Sequence, residues 1–331
     1  MDQRMQSLRK WLPGRLDSAF QDIRPASEDA SFRRYFRVTT TDGTCIVMDA
    51  PPDKEDVAPF IAVARRLRDL GLNVPEILDS DADAGFVLLS DLGNETYLQH
   101  LAPDTVERLY SDALGALIVL QAGIHTDSSF LARYDDTLLY AELELFREWY
   151  LGRELGQKLS SGQNRLLDEV WTRLVALALE QPHVWVHRDY HSRNLMVVPA
   201  KNPGILDFQD AVVGPVTYDL VSLLRDCYIR WPAEQVRSWA KGYYDLAANS
   251  GIPVGESATQ FLDWFDAMGV QRHLKAIGIF ARLNHRDGKP GYLADIPRTL
   301  GYVVEVARER EDLEPLVAVL DELKVSALAS V

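Results

Sequence analysis

Val186-His187-Arg188-Asp189-Tyr190-His191-Ser192-Arg193-Asn194-Leu195-Met196 is the stretch on which the reading of this chain turns, with Gly204-Ile205-Leu206-Asp207-Phe208 following as an apolar run that closes on an acid. Both ends of the first segment read as short β-strands, and the polar residues between them contain the pattern H-x-D-x-x-x-x-N. A carboxylate and an amide five residues apart on one turn, with a second carboxylate returning on the next strand, is a set of hard oxygen donors. Such a set suits magnesium, which takes one or two protein oxygens and completes its shell with phosphate and water. Phosphoryl transfer to an alcohol needs that cation, and it needs one of the carboxylates to accept or steer the hydroxyl proton. Asp189 is the candidate for the base. Asn194 and Asp207 are the candidates for the metal.

Outward from this segment the chain divides near residue 92. Short β-type runs dominate before it: Tyr35 to Thr39, a turn at Asp42-Gly43, Thr44 to Met48, Glu76 to Asp79 and Phe86 to Ser90. One amphipathic helix, Val57 to Leu70, interrupts them and stops at Gly71. Helical spacing then takes over at Val106 to Ile124, Leu138 to Leu151, Leu166 to Leu179 and from Tyr218 onward, leaving the Val184 to Leu206 region as a β-rich insert. The expectation is an α+β chain with an antiparallel-sheet lobe at residues 1–91 and a mostly helical lobe at residues 92–331. The length of 331 residues allows two such lobes.

Composition narrows the function. A net charge of −14 argues against a nucleic-acid partner, because strands are held largely through Lys and Arg on their phosphates. No apolar run approaches the ~20 residues that cross a bilayer, and the first residues lack a secretion signal, so a cytoplasmic protein off the membrane is expected. Cys45 and Cys227 read as buried free thiols. His187, Asp189 and His191 alternate as zinc ligands on one strand face would, but that reading leaves Asn194 and Asp207 without a task.

The quoted motifs resemble the catalytic loop and metal-binding motif of the aminoglycoside phosphotransferase and choline kinase-like superfamily, and His191 is similar to the second histidine of that branch. Within it, Ser31-Phe32-Arg33-Arg34-Tyr35-Phe36-Arg37, Val47-Met48-Asp49-Ala50-Pro51-Pro52 and Phe280-Ala281-Arg282-Leu283-Asn284-His285-Arg286-Asp287-Gly288-Lys289-Pro290-Gly291-Tyr292 look like the kinases of N-acetylated amino sugars. The resemblance implies a bilobal protein-kinase-like fold, ATP and Mg2+, and phosphorylation of the anomeric hydroxyl of N-acetylmuramate or N-acetylglucosamine in cell-wall recycling. It implies no protein partner. Choline, homoserine or an aminoglycoside as acceptor, or a silent nucleotide-binding module, are the alternatives.

By the same resemblance, main chain around Ser90 and Leu92 meets the adenine, while His191, Arg193, Asp226, Arg272 and Arg282 face the sugar. Asp219 either caps a helix or bonds the catalytic loop. The chain departs from the wider superfamily at Met48, where a phosphate-gripping lysine is usual, and in the phosphate loop, which lacks glycine. Arg33 or Arg34 is expected to supply the missing charge.

Overall fold

A computed structural model describes residues 3–27, 32–123 and 129–329 of the chain. Ala30 and Ser31, which belong to the expected phosphate loop, and Ile124, the expected end of a helix, lie outside these residues. The chain forms two compact units: Met1–Asp112 with Asn194–Gln209, and Ala113–Arg193 with Asp210–Val331. The first unit thus runs beyond Asp91 and takes in the insert that carries Asn194 and Asp207.

The first unit is built on a five-stranded antiparallel sheet in the order β1-β2-β3-β5-β4, with β1 Phe20–Ser27, β2 Arg34–Thr40, β3 Thr44–Asp49, β4 Ile77–Asp81 and β5 Phe86–Ser90. The Asp42-Gly43 turn closes β2 on β3, with the Thr40 amide donating to the Gly43 carbonyl at 2.9 Å. Helix α1 (Gln3–Trp11) brings Leu8 and Trp11 into a core shared with Phe36, Val38, Val47, Phe86 and Leu88. Helix α2 (Val57–Asp69) starts on Asp56, whose side chain accepts from the Ala58 amide, and its apolar stripe Val57, Phe60, Val63, Ala64 and Leu67 is buried. After the short α3 (Tyr97–His100), α4 (Val106–Ala122) runs across the boundary between the units.

In the second unit, β6 (Ala132–Arg133), β10 (Val212–Pro215) and β7 (His183–Val186) make a small sheet in which β10 runs parallel to β6 and antiparallel to β7. The paired strands β8 (Leu195–Met196) and β9 (Gly204–Ile205) belong to the first unit. Helix α5 (Asp136–Leu145) continues into a π-helical segment Phe146–Glu154, and α6 (Ser161–Glu180) opens on a reciprocal Ser160–Gln163 cap. The chain ends through α7 (Tyr218–Leu224), α8 (Ala233–Asn249), α9 (Ala258–Asp287), α10 (Ile296–Arg308) and α11 (Glu314–Glu322). Helix α9 is the axis of this unit, buried on most of its circumference from Phe261 to Leu283 and stopped by Gly288 in the left-handed conformation. A sheet-based unit and a helical unit are the α+β organisation expected. No helix among the described residues is long and apolar enough to cross a membrane.

Candidate active site

In the second unit the chain leaves β7 into a loop fixed at two points by buried carboxylates. Asp219, in the first turn of α7, accepts from the amides of His187 at 2.6 Å and Arg188 at 3.0 Å. That resolves its two readings: the side chain bonds the catalytic loop, where it holds Arg188 in a left-handed conformation at φ 76°. Burial pushes the Asp219 carboxyl up to about 7, against the pull of the two amides. Asp226 accepts from the Ser192 amide at 2.8 Å and the Tyr228 amide at 2.9 Å. Fully buried and bonded at both oxygens, Asp226 anchors the loop. His187 is buried, takes the Asp189 amide on Nδ1 at 3.3 Å and lies edge-on to Tyr190.

Asp189 lies between these anchors, partly exposed. Burial would raise its carboxyl, but positive charge at Lys275, Arg272 and Arg188 outweighs this and keeps it below the ordinary carboxylate range. A base so placed is ionised at neutral pH. His191 follows, its amide donating to the Asp189 carbonyl at 3.0 Å, and burial depresses its imidazole so that the neutral ring prevails.

The positive charge behind Asp189 is itself organised by Glu142 of α5. Its carboxylate takes Arg188 Nη2 at 2.8 Å, Lys275 Nζ at 2.9 Å, Gln271 Nε2 at 3.2 Å and the hydroxyl of Tyr134, while Lys275 also donates to the Tyr218 hydroxyl at 2.8 Å. Burial opposes ionisation of Glu142, and Lys275 and Arg188 overcome it. Sequence reading missed Glu142 and Lys275. A single Glu or Lys on a helix ordinarily marks a solvated face, and only the fold turns these two inward.

Arg272 on α9 is 5% exposed, with Nη1 at 3.8 Å from Cys227 Sγ. Arg282, one face further along α9, is partly buried, which together with Arg286 lowers its basicity. Arg193 is exposed and stacked over Tyr228. Trp264 is a core residue whose indole N–H reaches Glu180 at 3.3 Å.

The first unit holds the remaining candidates. The β8–β9 pairing, Leu195 against Ile205 and Met196 against Gly204, brings Asn194 and Asp207 together: Asn194 Nδ2 donates to Asp207 Oδ2 at 3.3 Å, and the Leu206 amide to the Asn194 carbonyl at 2.9 Å. Asp207 has φ 61°, a conformation that aspartate tolerates better than most residues, and Gln209 Nε2 donates to its Oδ1 at 2.8 Å. With the Asn194 amide turned to present Oδ1, this amide and the Asp207 carboxylate offer two hard oxygens that fit a magnesium ion drawing its other ligands from phosphate and water. Among the described residues no group of three or more His, Cys, Asp or Glu is assembled to hold a metal without such help.

Met48, in the place of the usual lysine, is buried in β3 opposite Tyr35 and Val87. The adjacent Asp49 is fully buried and receives Arg4 Nε at 2.7 Å and Arg34 Nε at 3.0 Å. Arg34 is therefore committed to a carboxylate, whereas Arg33 stands partly exposed ahead of β2. Ser90 ties the end of β5 to Glu76, its amide donating to the Glu76 carbonyl and its hydroxyl accepting the Glu76 amide at 2.8 Å. Beyond it, Asp91 is clamped by Arg37 at 2.6 and 3.0 Å and accepts the Gly93 amide. Leu92 lies against Gly204, where an added Cβ would come within 3.0 Å of its Cδ1.

The chain is 45% identical over 338 residues to the N-acetylmuramate/N-acetylglucosamine kinase of Pseudomonas putida, and 46% identical over 342 residues to the protein of that name from Pseudomonas aeruginosa, with 99% of this chain and of each relative covered. Among solved structures it is similar to an ADP-bound aminoglycoside phosphotransferase, at 16% identity and TM-score 0.61 over 92% of this chain and 99% of that one. The model of the phosphotransferase enzyme family matches residues 22–291, a span that includes Asp189, Asn194 and Asp207, and the chain belongs to that family.

Proposed function

We propose that this protein is an ATP-dependent amino-sugar kinase that transfers the γ-phosphoryl group to the anomeric hydroxyl of N-acetylmuramate or N-acetylglucosamine. The observation that carries this reading is end-to-end similarity to relatives of that name, in a chain that keeps Asp189, Asn194 and Asp207. The bond formed joins phosphorus to the anomeric oxygen, the bond broken releases ADP, and the hydroxyl proton passes to Asp189. Asn194 and Asp207 would hold magnesium, which when bound neutralises charge on the phosphate oxygens. Arg33 or Arg34 contributes further positive charge to the phosphates, Arg34 while also paired with Asp49. Main chain around Ser90 and Leu92 receives the adenine edge. A role in recycling peptidoglycan sugars, in the cytoplasm where ATP is supplied, agrees with these substrates.

Phosphorus NMR of the product from one purified sugar tests the assignment. A glycosyl phosphate, labile to acid and stable to base, is expected; a phosphate on the sixth carbon, or turnover of choline or an aminoglycoside in place of either sugar, overturns it.

A further inference from the structure

The two amino sugars differ in one charge. N-acetylmuramate carries a lactyl ether with a carboxylate where N-acetylglucosamine has a hydroxyl. A chain of net charge −14 repels an anionic acceptor at long range, so preference for the acid needs a cation at the sugar itself.

Arg193 has the properties such a contact requires. Its side chain is 41% exposed, with the guanidinium carbon 3.6 Å from the centre of the Tyr228 ring and 5.7 Å from that of Tyr292. The rings are themselves braced, Tyr292 stacking on Phe280 at 5.6 Å and His191 meeting Tyr228 edge-on at 5.2 Å. A guanidinium laid flat on an aromatic ring keeps its N–H donors in its own plane, directed outward along the edge. The carboxylate beside it, Asp295, lies 3.8 Å away and is already bonded by Arg298 at 2.8 Å, so it forms an ion pair with Arg193 and no hydrogen bond. Arg193 is thus oriented by stacking while its donor edge stays uncommitted.

The other candidate arginines are more enclosed than Arg193, and Arg272 and Arg282 each keep a buried Nε without a hydrogen-bond partner. Arg272 is buried and acts on the carboxylates of Asp189 and Asp226, and Arg282 is opposed by the neighbouring charge of Arg286. Arg193 also shares its loop with Asp189, four residues on and next to the Ser192 amide that Asp226 holds.

We infer that Arg193, held flat by Tyr228, receives the carboxylate of N-acetylmuramate through its N–H edge and sets the preference between the acidic and the neutral sugar. This rests on the amino-sugar reading above. The test compares N-acetylmuramate with its methyl ester, which removes the charge and adds one methyl group, in the unmodified enzyme and in Arg193→Gln. In the unmodified enzyme the acid is favoured in kcat/KM by about 10- to 100-fold, the range of a charge-assisted hydrogen-bonded pair. In Arg193→Gln the preference collapses to within about twofold, and Arg193→Lys, which keeps the charge but not the fork, falls between. An acid-to-ester ratio that is the same in the unmodified enzyme and in Arg193→Gln, or a ratio near one in the unmodified enzyme, overturns the inference while leaving the kinase assignment standing. Failure of the unmodified enzyme on every amino sugar removes the assignment first, before any variant is made.

Discussion

Asp189 owes its state to residues that never need to touch a substrate. The loop amides are held by Asp219 and Asp226, and the positive charge behind the carboxylate is gathered on Glu142. In the proposed reaction Asp189→Asn keeps the shape but cannot accept the proton, so kcat falls by about 10²- to 10⁴-fold. The KM for ATP, measured by initial rates, stays within about threefold, since the base contributes to the chemical step and not to nucleotide affinity. At this scale the catalytic candidates were legible because a fixed spacing of rare side chains is a signal in itself. The anchoring of the loop by Asp226 had no such signal, because an aspartate bonded to main-chain amides looks, in sequence, like one facing solvent. Glu142 and Lys275 had no motif to reveal them.

Among the elements, the strands of alternating or continuous apolar residues and the Asp42-Gly43 turn were readable, as was α2 with its Gly71 stop. Strand β1 was not. It contains Pro25 together with Asp22 and Arg24, and it pairs through register shifts on the outer edge of the sheet, where proline and charge are tolerated. Helix α9 shows how closely the helical unit is fitted. A Cβ added at Gly278 would lie 2.4 Å from the Leu145 carbonyl carbon and 2.6 Å from its oxygen, main-chain atoms that cannot swing aside. Gly278→Ala is therefore expected to destabilise the protein by about 1–3 kcal/mol, toward the upper end. Gly242 on α8 has open space around it, and Gly242→Ala should stabilise by about 0.5–1 kcal/mol through the restricted unfolded chain. Chemical denaturation of the two variants checks both signs.

The whole molecule divides in a way no local pattern announces. Asn73 bridges to Gly204 and Thr96 to Met196, pairings that draw the insert into the first unit from far along the sequence. Periodicity reports neighbours a few residues apart, so the insert could be seen but not assigned. Stability of the whole fold also carries a pH term from His273, whose Nε2 meets the Arg225 carbonyl at 2.8 Å and whose ring stacks on Tyr302. Burial lowers its pKa to about 3, well under the unfolded value. The unfolded chain consequently takes up a proton that the folded chain refuses, so this stability is complete above the unfolded pKa and is lost as the pH falls toward the folded one. Between pH 7 and pH 5 the loss is about 2 kcal/mol from this residue. Relative to the unmodified protein, His273→Gln should remove about that much of the stability change between the two pH values, read from urea denaturation, and an unchanged pH dependence would refute the assignment.

The family match opens at residue 22, yet Arg4 of α1 is one of the two guanidinium groups on buried Asp49, and Trp11 of the same helix lies 5.6 Å from Phe86. Anyone trimming the gene to the conserved stretch would strip a partner from a carboxylate that water cannot reach and lay bare one wall of the sheet. The leading helix is a structural member of the first unit, and a shortened clone should be judged by its solubility before its activity is interpreted.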